Sequence, residues 1–85
     1  MPFSDHGFWL AEFGQNLRQL RQEHGLTQEE LAETAGVSSR YVALIEAGSR
    51  NPTLTVVLEL AAALQVQPSR LFNPAESRHP TRPRA

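Results

Sequence analysis

Residues 26–45, L-T-Q-E-E-L-A-E-T-A-G-V-S-S-R-Y-V-A-L-I, contain two short amphipathic segments joined by a turn around Gly36. In the first segment, Thr27 and Glu30 have the spacing of a capping box. In such a box a threonine hydroxyl and a glutamate carboxylate each accept a backbone N–H that the first helical turn leaves unpaired. Ser38 is the corresponding capping residue of the second segment. The stretch therefore predicts two helices that meet at a tight corner.

Each of the two predicted helices has one apolar face. Leu31, Ala32 and Ala35 recur at helical spacing in the first, and Gly36 follows where a left-handed residue ends a helix without steric cost. The buried face of the second helix is predicted to consist of Tyr41, Val42 and Ile45. Its opposite face then carries Ser39, Arg40, Ala43 and Leu44. Two helices at a sharp angle with a polar, arginine-bearing outer face are typical of the helix-turn-helix, which lays its second helix in the DNA major groove.

The composition limits the other classes of protein that this chain could be. Its 85 residues support one domain, and the absence of cysteine removes disulfides, thiolate chemistry and the usual structural zinc sites. No apolar run approaches the roughly 20 residues of a membrane span, and the first residues lack the basic start of a secretory signal. We therefore expect a soluble, cytoplasmic protein. Its net charge of −1 argues against DNA binding in general, but a local basic patch can bind DNA without a basic total.

Three further helices are predicted around this pair, which gives a compact, all-α, five-helix domain. The first is predicted over Glu12 to His24, and the preceding Trp9 and Leu10 could extend it. Thr53 caps a fourth helix, whose core positions are Leu54, Val57, Leu60, Ala61 and Leu64. Pro68 begins a short fifth helix that ends near Leu71 and Phe72.

Composition also divides the chain into three parts. Residues 1–11 form an apolar N-terminal extension, which is expected to pack on the core or on a second subunit. Residues 12–72 form the helix-turn-helix DNA-binding domain. Residues 73–85 are rich in proline and arginine with almost no apolar content, so this tail is expected to be disordered.

With these helices in place, the chain resembles the helix-turn-helix domain of the lambdoid-phage repressor and Cro family. The marks are L-R-Q-L-R-Q-E-H-G-L-T-Q-E-E-L-A, G-V-S-S-R-Y-V-A-L-I-E-A-G and R-N-P-T-L, and the similarity covers about residues 13–72. Together these motifs are highly specific, and they imply a lambda-repressor-like fold. Small members of this family include phage regulators, antitoxin-type autorepressors and the controller proteins of restriction-modification systems, which this chain resembles most.

The resemblance implies which residues read the bases of the DNA. Ser39, Arg40 and Leu44 match the family's base-reading positions, while Ser38 is mainly a cap. Their chemistry suits the role, because the arginine fork pairs with guanine O6 and N7, a serine bonds either class of base, and a leucine packs on a thymine methyl.

The remaining positions are implied to contact the DNA backbone or to hold the domain in place. Gln28 matches a glutamine that bonds a phosphate and braces the recognition helix, and Tyr41 matches a position that contacts phosphate through its hydroxyl. Arg21 matches an arginine that a glutamate, here Glu46, holds toward phosphate. The complete set of candidate DNA-binding residues is Arg21, Gln28, Ser38, Ser39, Arg40, Tyr41, Leu44, Arg50 and Asn51.

The sequence thus predicts a sequence-specific transcriptional regulator that binds a partly palindromic operator as a homodimer. The subunit contact is expected at the surplus apolar residues Val56, Leu58, Leu71 and Phe72 and at the segment from Phe3 to Leu10. For Leu71, a place in the core is the alternative. Two alternatives stay open: an antitoxin that binds a toxin protein as well as DNA, and a pure protein-interaction module on the same fold. No catalytic constellation, metal-ligand spacing or phosphate-binding loop is present, so neither an enzyme nor a cofactor or metal site is expected.

Overall fold

Four α-helices and one short 3₁₀ turn make up residues 5–73, the part of the chain that the computed structural model describes. The helices are α1 (His6–Glu23), α2 (Gln28–Ala35), α3 (Ser39–Glu46) and α4 (Leu54–Leu64). The all-α class is therefore confirmed. The predicted fifth helix is a 3₁₀ turn over Pro68–Leu71, whose preceding residue makes no side-chain cap. Four residues without a cap give a single tight turn and not an α-helix.

The predicted starts of α2, α3 and α4 are confirmed by their hydrogen bonds. Thr27 Oγ1 accepts the Glu30 N–H at 3.0 Å, and Glu30 Oε1 accepts the Thr27 N–H at 2.8 Å, which completes the capping box. Ser38 Oγ and Thr53 Oγ1 each accept the N–H three residues further on, at 3.0 and 3.2 Å. Gly36 ends α2 with a φ of 79°, in the left-handed region where glycine pays no steric penalty.

Helix α1 begins six residues earlier than the sequence pattern predicted. The Asp5 carboxylate accepts the Phe8 N–H at 3.0 Å and so caps a helix that starts at His6. Residues 6–11 of the predicted extension are consequently the first turns of α1. Residues 1–4 and 74–85, which include Phe3 and nearly all of the predicted disordered tail, lie outside the described residues.

The core lies between α1, the helix-turn-helix pair and α4. Its fully buried side chains are Leu17, Leu20, Leu31, Val42, Ile45, Leu60, Leu64 and Leu71. Leu71 is thus a core residue and not part of a subunit contact, and Asn16 Nδ2 donates to its carbonyl oxygen at 2.9 Å, which fixes the 3₁₀ turn to α1. Leu54 was predicted in the core but is 70% exposed, because the first residue of α4 projects past the core's edge.

Candidate DNA-binding surface

A tight corner holds α3 against α2 and sets the orientation of its outer face. The chain leaves α2 through left-handed Gly36, and the Val37 N–H bonds back to the Ala32 carbonyl oxygen at 3.0 Å. Ser38 then caps α3, so only two residues, Gly36 and Val37, separate the end of α2 from the next cap. Val42 and Ile45 are fully buried, and this fixes which side of the helix faces outward.

Five of the predicted DNA-binding residues share one shallow concavity on this outer face. They are Ser38, Arg40, Tyr41, Leu44 and Arg50. Arg40 is exposed and Leu44 is half-buried. The surface thus offers a flexible cation and a small apolar patch side by side, which suits the polar edges and the methyl groups of a major groove.

The Tyr41 side chain links α3 to the loop that follows this helix. The Arg50 guanidinium carbon lies 5.7 Å from the centre of the Tyr41 ring, within the range of a cation–π contact. Tyr41 is half-buried, because its ring packs against the core, as predicted for its face of α3, and also lines the concavity. The pair places a charged group and a phenol hydroxyl together at the edge of α3.

A buried ion pair connects α1 to the end of α3. Arg21 Nε donates to Glu46 Oε2 at 2.7 Å and Arg21 Nη2 donates to Glu46 Oε1 at 3.1 Å, so the guanidinium grips the carboxylate with two parallel bonds. The two side chains are 10% and 4% exposed. Arg21 Nη1 also donates to the Leu26 carbonyl oxygen at 2.8 Å. This pairing was implied by the family resemblance, but not its depth of burial.

Gln28 brings α2 into the same network. Its Nε2 donates to Glu46 Oε1 at 3.0 Å, so one carboxylate accepts from side chains of both α1 and α2. The sequence contained a signal for this arrangement, because Glu46 follows Ile45 and Val42 at the spacing of a buried stripe. A charged residue in such a stripe indicates buried partners.

Four of the candidate residues do not line the concavity: Arg21, Gln28, Ser39 and Asn51. Arg21 is 8% exposed, so the structure presents it as a buried partner of Glu46 and not as an exposed cation. Asn51 is exposed, but it lines a different, apolar groove. Ser39 is half-buried at the first position of α3. Contact of all these residues with DNA stays a prediction.

The apolar groove is a feature that the sequence pattern did not predict. It runs between the start of α1, the start of α4 and the residue after the 3₁₀ turn, and its volume is about 340 Å³. Its main apolar lining residues are Trp9, Leu10, Phe13, Pro52, Leu54, Val57 and Phe72. Leu54 and Phe72 are 70% and 63% exposed at its rim. The groove is therefore a candidate interaction surface.

Within residues 5–73, no cluster of histidine, aspartate or glutamate side chains is arranged to hold a metal ion. The same residues include no helix that is both long enough and apolar enough to cross a membrane.

Comparison with known proteins agrees with this geometry. A helix-turn-helix family model matches residues 17–71, a span that runs from the core of α1 through the recognition helix to the 3₁₀ turn. The chain belongs to the helix-turn-helix family. Membership identifies it as a DNA-binding transcriptional regulator, which is not an enzyme class.

Similar proteins within the family include two small regulators. The chain is 44% identical over 63 residues to an uncharacterized HTH-type transcriptional regulator, y4dJ, of Sinorhizobium fredii, covering 74% of this chain and 82% of that protein. It is 37% identical over 74 residues to the control protein C.SmaI of Serratia marcescens, covering 85% and 88%.

A solved structure shows the same fold. The restriction-modification controller protein C.AhdI of Aeromonas hydrophila superposes with a TM-score of 0.73 at 48% identity, covering 74% of this chain and 96% of that one. The predicted membership of the repressor and Cro type, with likeness to controller proteins, is therefore confirmed.

Proposed function

We propose that this regulator acts in the cytoplasm as a homodimer on a partly palindromic operator, with one α3 in each of two successive major grooves. The observation that carries the proposal is the concavity on α3, where Arg40, Leu44 and the Tyr41–Arg50 pair face outward together. Occupying the operator would regulate a promoter, and a repressor acting near its own gene is the simplest case.

Base reading falls to Arg40 and Leu44, with Ser39 beside them. Arg40 and Leu44 are four residues apart on α3, which separates them by about 6 Å along the helix axis. With base pairs about 3.4 Å apart, the two side chains reach positions roughly two base pairs apart. We therefore expect each half-site to present a guanine to Arg40 and, nearby, a thymine methyl to Leu44.

The DNA backbone would be held from both sides of α3. Arg50 and Tyr41 lie at one edge, where the guanidinium contacts the tyrosine ring. Gln28 lies at the start of α2. Its bond to Glu46 uses one N–H, which leaves the amide oxygen and the second N–H to bond a phosphate group or its water. Contacts of this type fix the register of a protein on the duplex before the bases are read.

The second copy is needed because one recognition helix reads too few base pairs to select a site among about a million or more competitors. The apolar groove suits a two-fold contact, since one patch carries both a hollow and the exposed side chains of Leu54 and Phe72 that could fill its counterpart. Asn51 lines the groove directly after Arg50, so a subunit docked there lies next to the DNA-facing loop. This placement favours the groove as the subunit contact over the predicted residues Val56 and Leu58. Val56 packs on the core, and Leu58 does not line the groove.

Gel-shift titration against the DNA upstream of the protein's own coding sequence, alongside a random-sequence duplex, tests the function. We expect salt-dependent binding to both and tighter binding to the upstream DNA. A protein that binds neither duplex at low salt would refute the proposal and favour an interaction module.

Sedimentation equilibrium tests the dimer. Leu54→Glu puts a charge into the groove and should shift the protein to monomer, while Thr55→Glu, at an exposed neighbour outside the groove, should not. Equal dimerisation of the two variants would place the contact elsewhere. The antitoxin alternative stays a hypothesis, since none of the relatives named above carries that description.

A further inference from the structure

Helix α1 and the end of α3 meet backbone to backbone at Gly14. Gly14 lies in the interior of α1 and is buried. A Cβ atom at this position would lie 2.4 Å from the Ile45 carbonyl oxygen, 2.6 Å from the Glu46 carbonyl oxygen and 2.9 Å from the Glu46 carbonyl carbon. All three atoms are main-chain atoms, so no side-chain rotation relieves the overlap. The two helices pack as they do only because residue 14 has no side chain.

The same stretch of α1 also supports the turn that follows α3. A Cβ built on Gly48 would lie 3.0 Å from the Ala11 Cα, one helical turn before Gly14. Arg21, two turns after Gly14, grips the Glu46 carboxylate from the same helix. Helix α1 thus fixes the end of α3 and the turn that follows it at three points, twice through main-chain packing and once through a buried ion pair.

We propose that Gly14 is a positioning residue for DNA recognition: its missing side chain sets the depth at which α3 lies on α1, and so aims the base-reading residues. The inference rests on the proposed function of α3. Ordinary contacts begin near 3.4 Å, so a methyl group with 2.4 Å of room requires a displacement of about 1 Å. Recognition residues tolerate roughly 0.5 Å of misplacement. Gly14→Ala therefore shifts Arg40 and Leu44 out of register with the bases.

Gly7 supplies a matched control in the same helix. It is exposed, and a Cβ there meets only the Asp5 side chain at 3.6 Å, an ordinary contact. Helix propensity favours alanine over glycine at both positions, so propensity alone predicts that both variants behave alike. The contact with α3 predicts that they differ.

The experiment compares wild type, Gly7→Ala, Gly14→Ala and the cavity-forming core variant Leu17→Ala, all at a temperature where each is folded by circular dichroism. An operator is first selected by the wild type from a pool of random duplexes. Affinities are then measured for that operator and for a random-sequence duplex. We expect Gly14→Ala to lose roughly 10- to 100-fold in operator affinity, the equivalent of one or two base contacts, while affinity for random DNA changes little. Gly7→Ala and Leu17→Ala should keep the wild-type ratio.

A second readout is independent of DNA. Backbone amide chemical shifts of residues 39–46 in the free protein should change in Gly14→Ala and stay at their wild-type values in Gly7→Ala. Unchanged shifts, or an operator-to-random ratio equal to that of the wild type, would overturn the inference. Parallel loss on both duplexes would do the same, because it would show a general loss of binding.

Two further outcomes are decisive. If the wild type and Gly7→Ala bind no duplex, the proposed function fails, and the amide shifts alone decide whether Gly14 sets the position of α3. If Gly14→Ala does not fold, the experiment is repeated with Gln65→Gly added to every variant. Gln65 has a left-handed φ of 59°, and glycine should stabilise the fold there because it adopts this conformation without strain. If Gly14→Ala still does not fold in that background, Gly14 is needed only for folding, and the inference is overturned.

Discussion

Replacing Glu46 with alanine should weaken both the fold and DNA binding, although it removes a negative charge from a DNA-binding domain. Glu46 accepts two bonds from Arg21, at 2.7 and 3.1 Å, and one from Gln28 at 3.0 Å. With the carboxylate gone, the guanidinium stays in a site where its side chain is only 10% exposed. The guanidinium then keeps only its bond to the Leu26 carbonyl oxygen.

Precedent for breaking a buried pair from one side sets the magnitude at about 3–5 kcal/mol. A domain of this size has a total stability of about 5–15 kcal/mol, so Glu46→Ala should unfold readily. Removing both partners is different, because an apolar pair of similar volume avoids the desolvation cost. The double variant Arg21→Met with Glu46→Leu is therefore expected to recover most of the lost stability. It should not recover operator affinity, since Gln28 has lost its acceptor on α3.

Urea unfolding followed by far-ultraviolet circular dichroism measures these differences. With a slope of about 1 kcal/mol per molar urea, a loss of about 3–5 kcal/mol in Glu46→Ala should lower the midpoint by roughly 3–5 M. A loss below about 1 kcal/mol would show that the pair behaves like an exposed salt bridge. If Glu46 only repelled DNA, removing its negative charge would tighten DNA binding. Tighter binding by a folded Glu46→Ala protein would therefore refute the idea that this carboxylate positions α3.

Two more predictions concern the concavity. Arg40→Ala should cost about 1–3 kcal/mol of operator binding and relax the preference at one base pair per half-site, measured by competition with operators varied at each position. Equal losses on operator and random DNA would make Arg40 a phosphate contact instead. Arg50→Ala should weaken binding to all sequences similarly and lower the salt slope by about one unit per subunit. An unchanged slope in a salt titration would remove Arg50 from the interface.

Local signals made much of this fold predictable. Thr27, Ser38 and Thr53 cap the helices as predicted, because a hydroxyl at a helix start bonds an N–H only three residues away. Such bonds depend on neighbouring residues alone. The pairing of Arg21 with Glu46 came instead from the family resemblance, since no local rule joins residues 25 positions apart.

Two of the features that escaped prediction depend on tertiary packing, and one does not. From the sequence alone, Gly14 is an unfavourable residue inside a helix. The structure explains it, because the backbone of α3 lies too close to α1 for any side chain at this position. Leu54 fits the apolar stripe of α4 by spacing, yet the stripe extends past the core there. The early start of α1 was within reach, because Asp5 is a recognisable cap that the apolar character of residues 8–10 obscured.

The division of α3 into two faces has a consequence for how such regulators diversify. The buried face and Glu46 hold α3 against the rest of the domain, while Arg40 and Leu44 line the concavity on the opposite face. Under the proposed function these two positions read the bases, and substitutions there leave the ion pair and the core untouched, so a new operator preference needs no compensating change elsewhere. A library randomised at Arg40 and Leu44 should therefore consist mainly of folded proteins, and could be screened for altered operators directly.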